Sequence, residues 1–331
     1  MTVEGSFKDT VVVITGASSG IGRATAHEFA RRGACLVLAA RREPMLREVE
    51  QECVELGGTA MSVRTDVRHE DEVERLAADA VAQFGRIDVW FNNAGVGVFG
   101  RFEDIPTDAW RGVVETNVFG CVFGAKAALQ RFRAQGHGVL INNASIAGRF
   151  GHPDSAAYAT SKFAIRGLSE SLRQELLDQR RIHVCTILPS VVDTPFFQHA
   201  ANFSHRRVRA MPPVCPPDKV ALAVLDLVRR PREEVVIGGA GKGMAIFRRV
   251  LPEAATRLNG RASHEGFSGT EPSPVTTGSL FDPVEDNAAV EGGWREPPPA
   301  QGRLPLVALA AVGLAVGWAA IKGRRRSDAS R

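Results

Sequence analysis

The sequence predicts a doubly wound α/β fold, a parallel sheet with helices on both faces, forming one domain. Three observations predict it. Between residues 10 and 190, short β-branched runs take turns with longer helical patterns. The runs are apolar throughout and do not alternate, which suits strands buried on both faces. A glycine-rich turn joins the first run to the first helix. Strand and helix in alternation imply parallel strands with right-handed crossovers.

The strand candidates are Val11–Ile14, Cys35–Leu38, Ile87–Phe91, Gly138–Ile141, Ile182–Leu188 and a last strand at Glu234–Ile237. Helix candidates lie at Ala24–Arg32, Glu70–Phe84, Ala156–Gln179 and Asp218–Arg229, where apolar residues recur at helical spacing. The expected organisation has four parts. Residues 1–262 form the nucleotide-binding catalytic domain, 263–303 a disordered linker, 304–321 an apolar transmembrane helix and 322–331 a basic tail.

Composition is that of a globular protein, with 44% hydrophobic and 24% charged residues. The net charge of +4 sits in the tail, where Lys322, Arg324, Arg325, Arg326 and Arg331 face only Asp328. The rest of the chain is formally neutral, so no basic footprint for nucleic acid is spread over the domain. Five cysteines, odd in number and without a CxxC pair, argue against a disulfide framework or a zinc site. No metal is expected.

Thr15-Gly16-Ala17-Ser18-Ser19-Gly20-Ile21-Gly22 follows the first strand and opens the first helix. Glycines let the backbone turn and approach a ligand closely, and the helix start offers N–H groups and a positive dipole end to a pyrophosphate. The second strand ends Ala39-Ala40-Arg41-Arg42. An acid there would hold a ribose 2′-hydroxyl; Arg41 would instead pair with a 2′-phosphate, so NADP(H) is expected. Tyr158 and Lys162, four apart in a helix candidate, share one face. An adjacent ammonium favours the phenolate and makes proton exchange through a phenol feasible. Ser145, thirteen residues before the sole tyrosine, can donate to the same substrate oxygen.

Together these residues resemble the short-chain dehydrogenases/reductases. Thr15–Gly22 matches their TGxxxGxG, Asn92-Asn93-Ala94-Gly95 their NNAG, and Asn117, Ser145, Tyr158 and Lys162 fall where the family has its catalytic tetrad. The resemblance covers roughly residues 8–240 and implies a Rossmann fold. By it, Tyr158 exchanges the proton, Ser145 holds the carbonyl oxygen, Lys162 binds the nicotinamide ribose and Asn117 anchors a water relay. Gly16, Ser18, Ser19, Gly20, Ile21 and Gly22 would cradle the cofactor. Asp66 would meet the adenine, Asn93 and Gly95 would shape the cleft wall, and Val192 and Thr194 would lock the carboxamide. Ser190, after Pro189, departs from the family's usual glycine. A homo-oligomer is also expected.

Pro195–Pro217 is expected to form a variable lid carrying Phe196, Phe197, Phe203, Met211, His199, His205, Arg206, Arg207 and Arg209. An apolar, partly basic lid suggests a hydrophobic carbonyl or alcohol; the alternative is an amphipathic helix with a solvated basic face. His152 is a further pocket candidate.

Residues 263–303 hold six Pro, six Gly and seven acids with no long apolar run, the composition of a flexible linker. Leu304–Ile321 has eighteen residues without a charge. As a helix it is about 27 Å long, enough to cross a hydrocarbon core. Gly313 and Gly317 form a GxxxG step within it. The basic tail favours its own cytoplasmic placement. The catalytic domain is nevertheless expected on the cytoplasmic side, where NADPH is, with membrane lipid as the tail's partner. The leading expectation is a membrane-held NADP(H) oxidoreductase on apolar carbonyls. The competitors are a 3-oxoacyl-thioester reductase and a non-catalytic nucleotide-binding scaffold or sensor.

Overall fold

β1 (Val11–Thr15) lies inside a parallel sheet because all five residues are β-branched and both its faces are covered. The computed structural model describes residues 5–239, 253, 256, 260 and 268–295. After β1 come α1 (Gly20–Ala30), β2 (Cys35–Ala40), α2 (Glu43–Glu55), β3 (Thr59–Arg64), α3 (Glu70–Phe84) and β4 (Val89–Asn92). Next are β5 (Val98–Phe99), α4 (Thr107–Val114), α5 (Gly120–Gln135), β6 (Gly138–Asn143), α6 (Ala156–Glu175) and β7 (Ile182–Pro189). The described chain closes with α7 (Phe196–His199), β8 (Ala201–Asn202), β9 (Arg206–Val208), α8 (Pro217–Arg229), β10 (Glu234–Ile237) and β11 (Ser268–Pro272).

The seven-stranded sheet has the order β3-β2-β1-β4-β6-β7-β10 and is parallel throughout. Strand order reverses between β1 and β4, and in such sheets the ligand crevice opens at the carboxyl ends there. Alternation along each strand feeds two cores. Val12, Ile14, Leu36 and Leu38 pack with Phe29, Leu46 and Val224 on one face. Val13, Val37, Trp90 and Leu140 pack with Leu76 and Phe132 on the other. Each such fully buried side chain contributes about 1.5–3 kcal/mol relative to exposure.

The doubly wound parallel fold stands as expected. α3 and β10 coincide with their predicted bounds, while α6 stops short of Gln179. Leu176 leaves helical geometry (φ −110°, ψ 15°) as its side chain enters the core. β3 carries no continuous apolar run, because it is the sheet edge and is only partly covered. Four cysteines are buried and Cys35 is half-buried, all as free thiols.

The expectation of a disordered linker over 263–303 needs correction for residues 268–295. β11 pairs antiparallel with β9, Leu280 is wholly buried, and the following residues run back along the catalytic domain. Composition missed this because the segment is held mainly through main-chain groups, which carry no sequence signature. Residues 263–267, 296–303, Leu304–Ile321 and the basic tail lie outside the described residues. Among the described residues no helix is long and apolar enough to cross a membrane. The lid is not one amphipathic helix either. Pro195–Pro217 folds as a single helical turn, two short strands and a Pro212–Pro213 cis turn. Pro212, Pro213, Pro216 and Pro217 withdraw the N–H groups that a continuous helix would need.

Candidate active site

At the carboxyl end of β1 the chain turns through Gly16 (φ 66°), where an added Cβ would lie 2.8 Å from Ala94 Cα. Gly22 lets α1 approach this turn, since its Cβ would meet the Gly16 carbonyl oxygen at 2.1 Å. Asn93 fastens the turn to the end of β4. Its Nδ2 donates to the carbonyls of Thr15 (3.0 Å) and Gly16 (3.1 Å), and Asn143 Nδ2 donates to its Oδ1 at 2.9 Å. Thr15 Oγ1 accepts from the N–H groups of Asn93 and Ala94. The glycine turn and the NNAG stretch are thus one hydrogen-bonded unit.

At the exit of β2, Arg41 and Arg42 are both half-buried or deeper, and burial lowers the pKa of each guanidinium. Among the described residues neither has a carboxylate within ion-pair distance. Arg42 Nη2 donates to Ser18 Oγ at 3.1 Å, which brings the second arginine to the glycine loop. Asp66, by contrast, is paired with Arg68 through both oxygens. Burial pushes its carboxyl up, but the hydrogen bonds from Arg68 prevail and hold it below the usual range.

Tyr158 and Lys162 lie on the first turns of α6, with Lys162 Nζ 5.5 Å from the phenol ring centre. Ser145, just after β6, lines the same cleft as the Tyr158 phenol and lowers its pKa, while its Oγ accepts from the Ala147 N–H at 3.1 Å. Burial pushes Tyr158 up to about 12, and lowers Lys162 to about 8. For the phenol, desolvation outweighs the lowering effect of Ser145. Lys162 Nζ donates to the Asn143 carbonyl at 2.8 Å.

Asn117 sits in a π-helical turn, Glu115–Phe119, between α4 and α5. Such turns are rare and recur at functional sites. Its amide bonds both main-chain groups of Val96 (2.8 and 3.0 Å) and donates to Ser161 Oγ at 2.9 Å. All the predicted site residues line one cleft except Gly22 and Asn117, which stand behind it as supports. Ser190 also lines the cleft; its φ is not positive, so a side chain there is unstrained.

The outer half of the cleft is apolar, walled by Phe99, Phe196, Phe197, Met211 and Val191. The Phe196 ring packs 5.3 Å from Tyr158, and Gly97 leaves room for it. His152 is also in the wall, and burial lowers it to about 4, so the imidazole there is uncharged at neutral pH. The basic lid residues point away: Arg206 and Arg207 are exposed, and Arg207 pairs with Glu271. His199 faces the cleft and meets the Asp286 carbonyl at 2.9 Å.

A nicotinamide dinucleotide fits this cleft on two grounds. Gly16 and Gly20 keep the floor clear of side chains, and two buried polar atoms in the wall, Thr116 Oγ1 and Asn143 Oδ1, have no partner in the protein. Buried polar atoms are almost always paired, so both fit a ligand or water. Sequence reasoning missed Arg42, Arg68 and the 279–295 segment. The doubled arginine after β2 could have drawn notice to Arg42; nothing in the sequence points to the segment.

Residues 10–204 match the family model described as short chain dehydrogenase. The Bacillus subtilis oxidoreductase YxnA is 36% identical over 326 residues, which is 95% of this chain and 91% of that one. Among solved structures, an alcohol dehydrogenase from Thermococcus sibiricus complexed with 5-hydroxy-NADP is 29% identical (TM-score 0.61). It covers 69% of this chain and 95% of its own. A short-chain dehydrogenase/reductase from Burkholderia phymatum in complex with NAD is 27% identical (TM-score 0.68), covering 76% of this chain and 96% of its own.

Proposed function

The chain belongs to the short-chain dehydrogenase family and is an NAD(P)-dependent oxidoreductase, and from that premise we propose that it transfers a hydride between NADP(H) and an apolar carbonyl or alcohol. The observation that carries the cofactor choice is the pair Arg41 and Arg42. Two guanidiniums drawn partly out of water, held by neutral acceptors and with no carboxylate at ion-pair distance, favour an anion, and a 2′-phosphate suits them. Ala40 leaves no acid to repel that phosphate.

The nicotinamide supplies or accepts the hydride. Ser145 holds the substrate oxygen, and Tyr158 gives it a proton from a phenol that burial keeps protonated up to about 12. That favours carbonyl reduction at neutral pH. Lys162 holds the ribose and, as an ammonium, eases loss of the phenolic proton. Asn117, bonded to Val96 and Ser161, fixes the wall behind them. Phe196, Phe197, Met211 and the uncharged His152 favour a substrate without charge near its carbonyl.

In the same reading the enzyme pairs with a second copy of itself, consistent with exposed Phe119 and Phe163. It is held at a membrane by Leu304–Ile321, with the catalytic domain on the cytoplasmic side. NADPH oxidation with a panel of aromatic, alkyl and charged ketones and 3-oxoacyl thioesters tests the substrate reading. Consumption with uncharged apolar ketones supports it, and consumption only with charged ones or thioesters overturns it.

A further inference from the structure

The C-terminal segment Ser279–Arg295 follows the cofactor cleft from one end to the other. At the adenine end Arg41 donates to the carbonyls of Ser279 (2.5 Å) and Phe281 (2.9 Å), and Arg42 to that of Val284 (3.0 Å). At the start of α1, the Ala289 carbonyl accepts the Gly20 N–H at 3.0 Å. At the nicotinamide end buried Asp193 accepts from the N–H groups of Gly292 (3.0 Å) and Trp294 (2.8 Å). Trp294 Nε1 donates to the Thr194 carbonyl at 3.0 Å and its ring packs on Phe197. Pro283 and Val284 form part of the cleft wall.

The segment is docked in a way that suits opening. Leu280 is its only buried side chain, seated beside Val98, Val113 and Ala201. Beyond it the segment is held mostly by hydrogen bonds to its own half-buried or exposed main chain, with the Trp294 ring on Phe197 and the Arg295–Asp193 ion pair at its far end, contacts that open at lower cost than a packed core. Its carbonyls also sit on the groups that a phosphorylated dinucleotide needs, the guanidiniums of Arg41 and Arg42 and an N–H at the start of α1. A phosphate arriving at these donors replaces carbonyl oxygens, so docking of the segment and passage of the cofactor are coupled. The solved neighbours spend 95% or more of their own length on 69–76% of this chain, so this chain carries length they lack.

Resting on the NADP(H) reading, we propose that Ser279–Arg295 is a clasp over the dinucleotide cleft, which must open for the cofactor to pass and so sets the rate of cofactor exchange. The clasp can be stapled. A Cβ at Gly112 would lie 3.1 Å from Leu280 Cγ, so Gly112→Cys with Leu280→Cys comes within disulfide reach. NADPH binding and release are followed by cofactor fluorescence on the full chain, with Gly112→Cys alone as the control for the native thiols. Oxidation before loading should slow NADPH uptake at least tenfold, and oxidation after loading should slow release at least tenfold. Reduction should restore both rates. Leu280→Glu, which unseats the clasp, should speed release at least tenfold. Binding with exchange rates unchanged in the oxidised double variant and in Leu280→Glu overturns the clasp alone. Failure of the unmutated chain to bind either NADPH or NADH overturns the functional reading and the clasp with it.

Discussion

Lys162 donates from Nζ to the main-chain carbonyl of Asn143, tying α6 to the end of β6 at the point where the cleft turns toward Tyr158. Burial lowers this ammonium to about 8. It is therefore charged below that pH and loses its charge as pH rises through it, while Tyr158 keeps its proton up to about 12. The ammonium is the form that binds the ribose, so kcat/KM for NADPH should fall above a midpoint near 8. That quantity reports groups of the free enzyme. A profile flat between about pH 7 and 9.5 contradicts this role for Lys162.

Arg41 should set the cofactor preference. NADPH is expected to bind at least tenfold tighter than NADH, about 1.4 kcal/mol. Arg41→Asp should erase or reverse that order by removing the anion partner and repelling the 2′-phosphate. Equal dissociation constants for the two cofactors in the unmutated protein would refute the assignment.

The glycine turn gives a paired prediction on stability. Gly22→Ala drives a methyl group to 2.1 Å from the Gly16 carbonyl oxygen. Overpacking of this kind costs about 1–3 kcal/mol and should also weaken dinucleotide binding at least tenfold. Gly167→Ala, in the exposed middle of α6 with nothing within 4 Å of the new Cβ, should instead stabilise by about 0.5–1 kcal/mol. Melting temperatures and cofactor titrations of the two variants check both signs, and equal effects would refute the packing argument.

Catalysis and membrane attachment should separate after Arg295. A chain ending there retains the clasp and is expected to be soluble and active on a small water-soluble ketone. The full chain should sediment with membranes and resist carbonate, because an inserted apolar helix is not held by charge. Release by high salt would mean that the basic residues bind anionic headgroups and that Leu304–Ile321 does not span. Protease added outside sealed cytoplasmic-side-in vesicles should spare the catalytic domain; its digestion would reverse the assigned side.

Much of the catalytic half was legible because its residues combine scarce types at fixed spacing. Tyr158 is the sole tyrosine, Lys162 follows at one helical turn, and Gly16–Gly22 sits where strand meets helix. β3 was less legible, since a half-covered edge strand needs no apolar run. The clasp was illegible for a different reason. Its contacts run through the carbonyls of Ser279, Phe281, Val284 and Ala289, and a carbonyl is the same whatever residue bears it. Spacing places Lys162 beside Tyr158 but says nothing of how much water burial removes from the two groups.

The account stands on Tyr158 as the proton donor. The most direct measurement compares Tyr158→Phe with the unmutated chain, following NADPH oxidation by an uncharged aromatic ketone and measuring NADPH affinity alongside. The phenylalanine keeps the ring packed against Phe196 and removes only the hydroxyl, and no second tyrosine exists to replace it. Turnover should fall by about 10²–10⁴-fold with NADPH affinity unchanged within a factor of about three. Turnover within a few-fold of the unmutated enzyme would contradict the account.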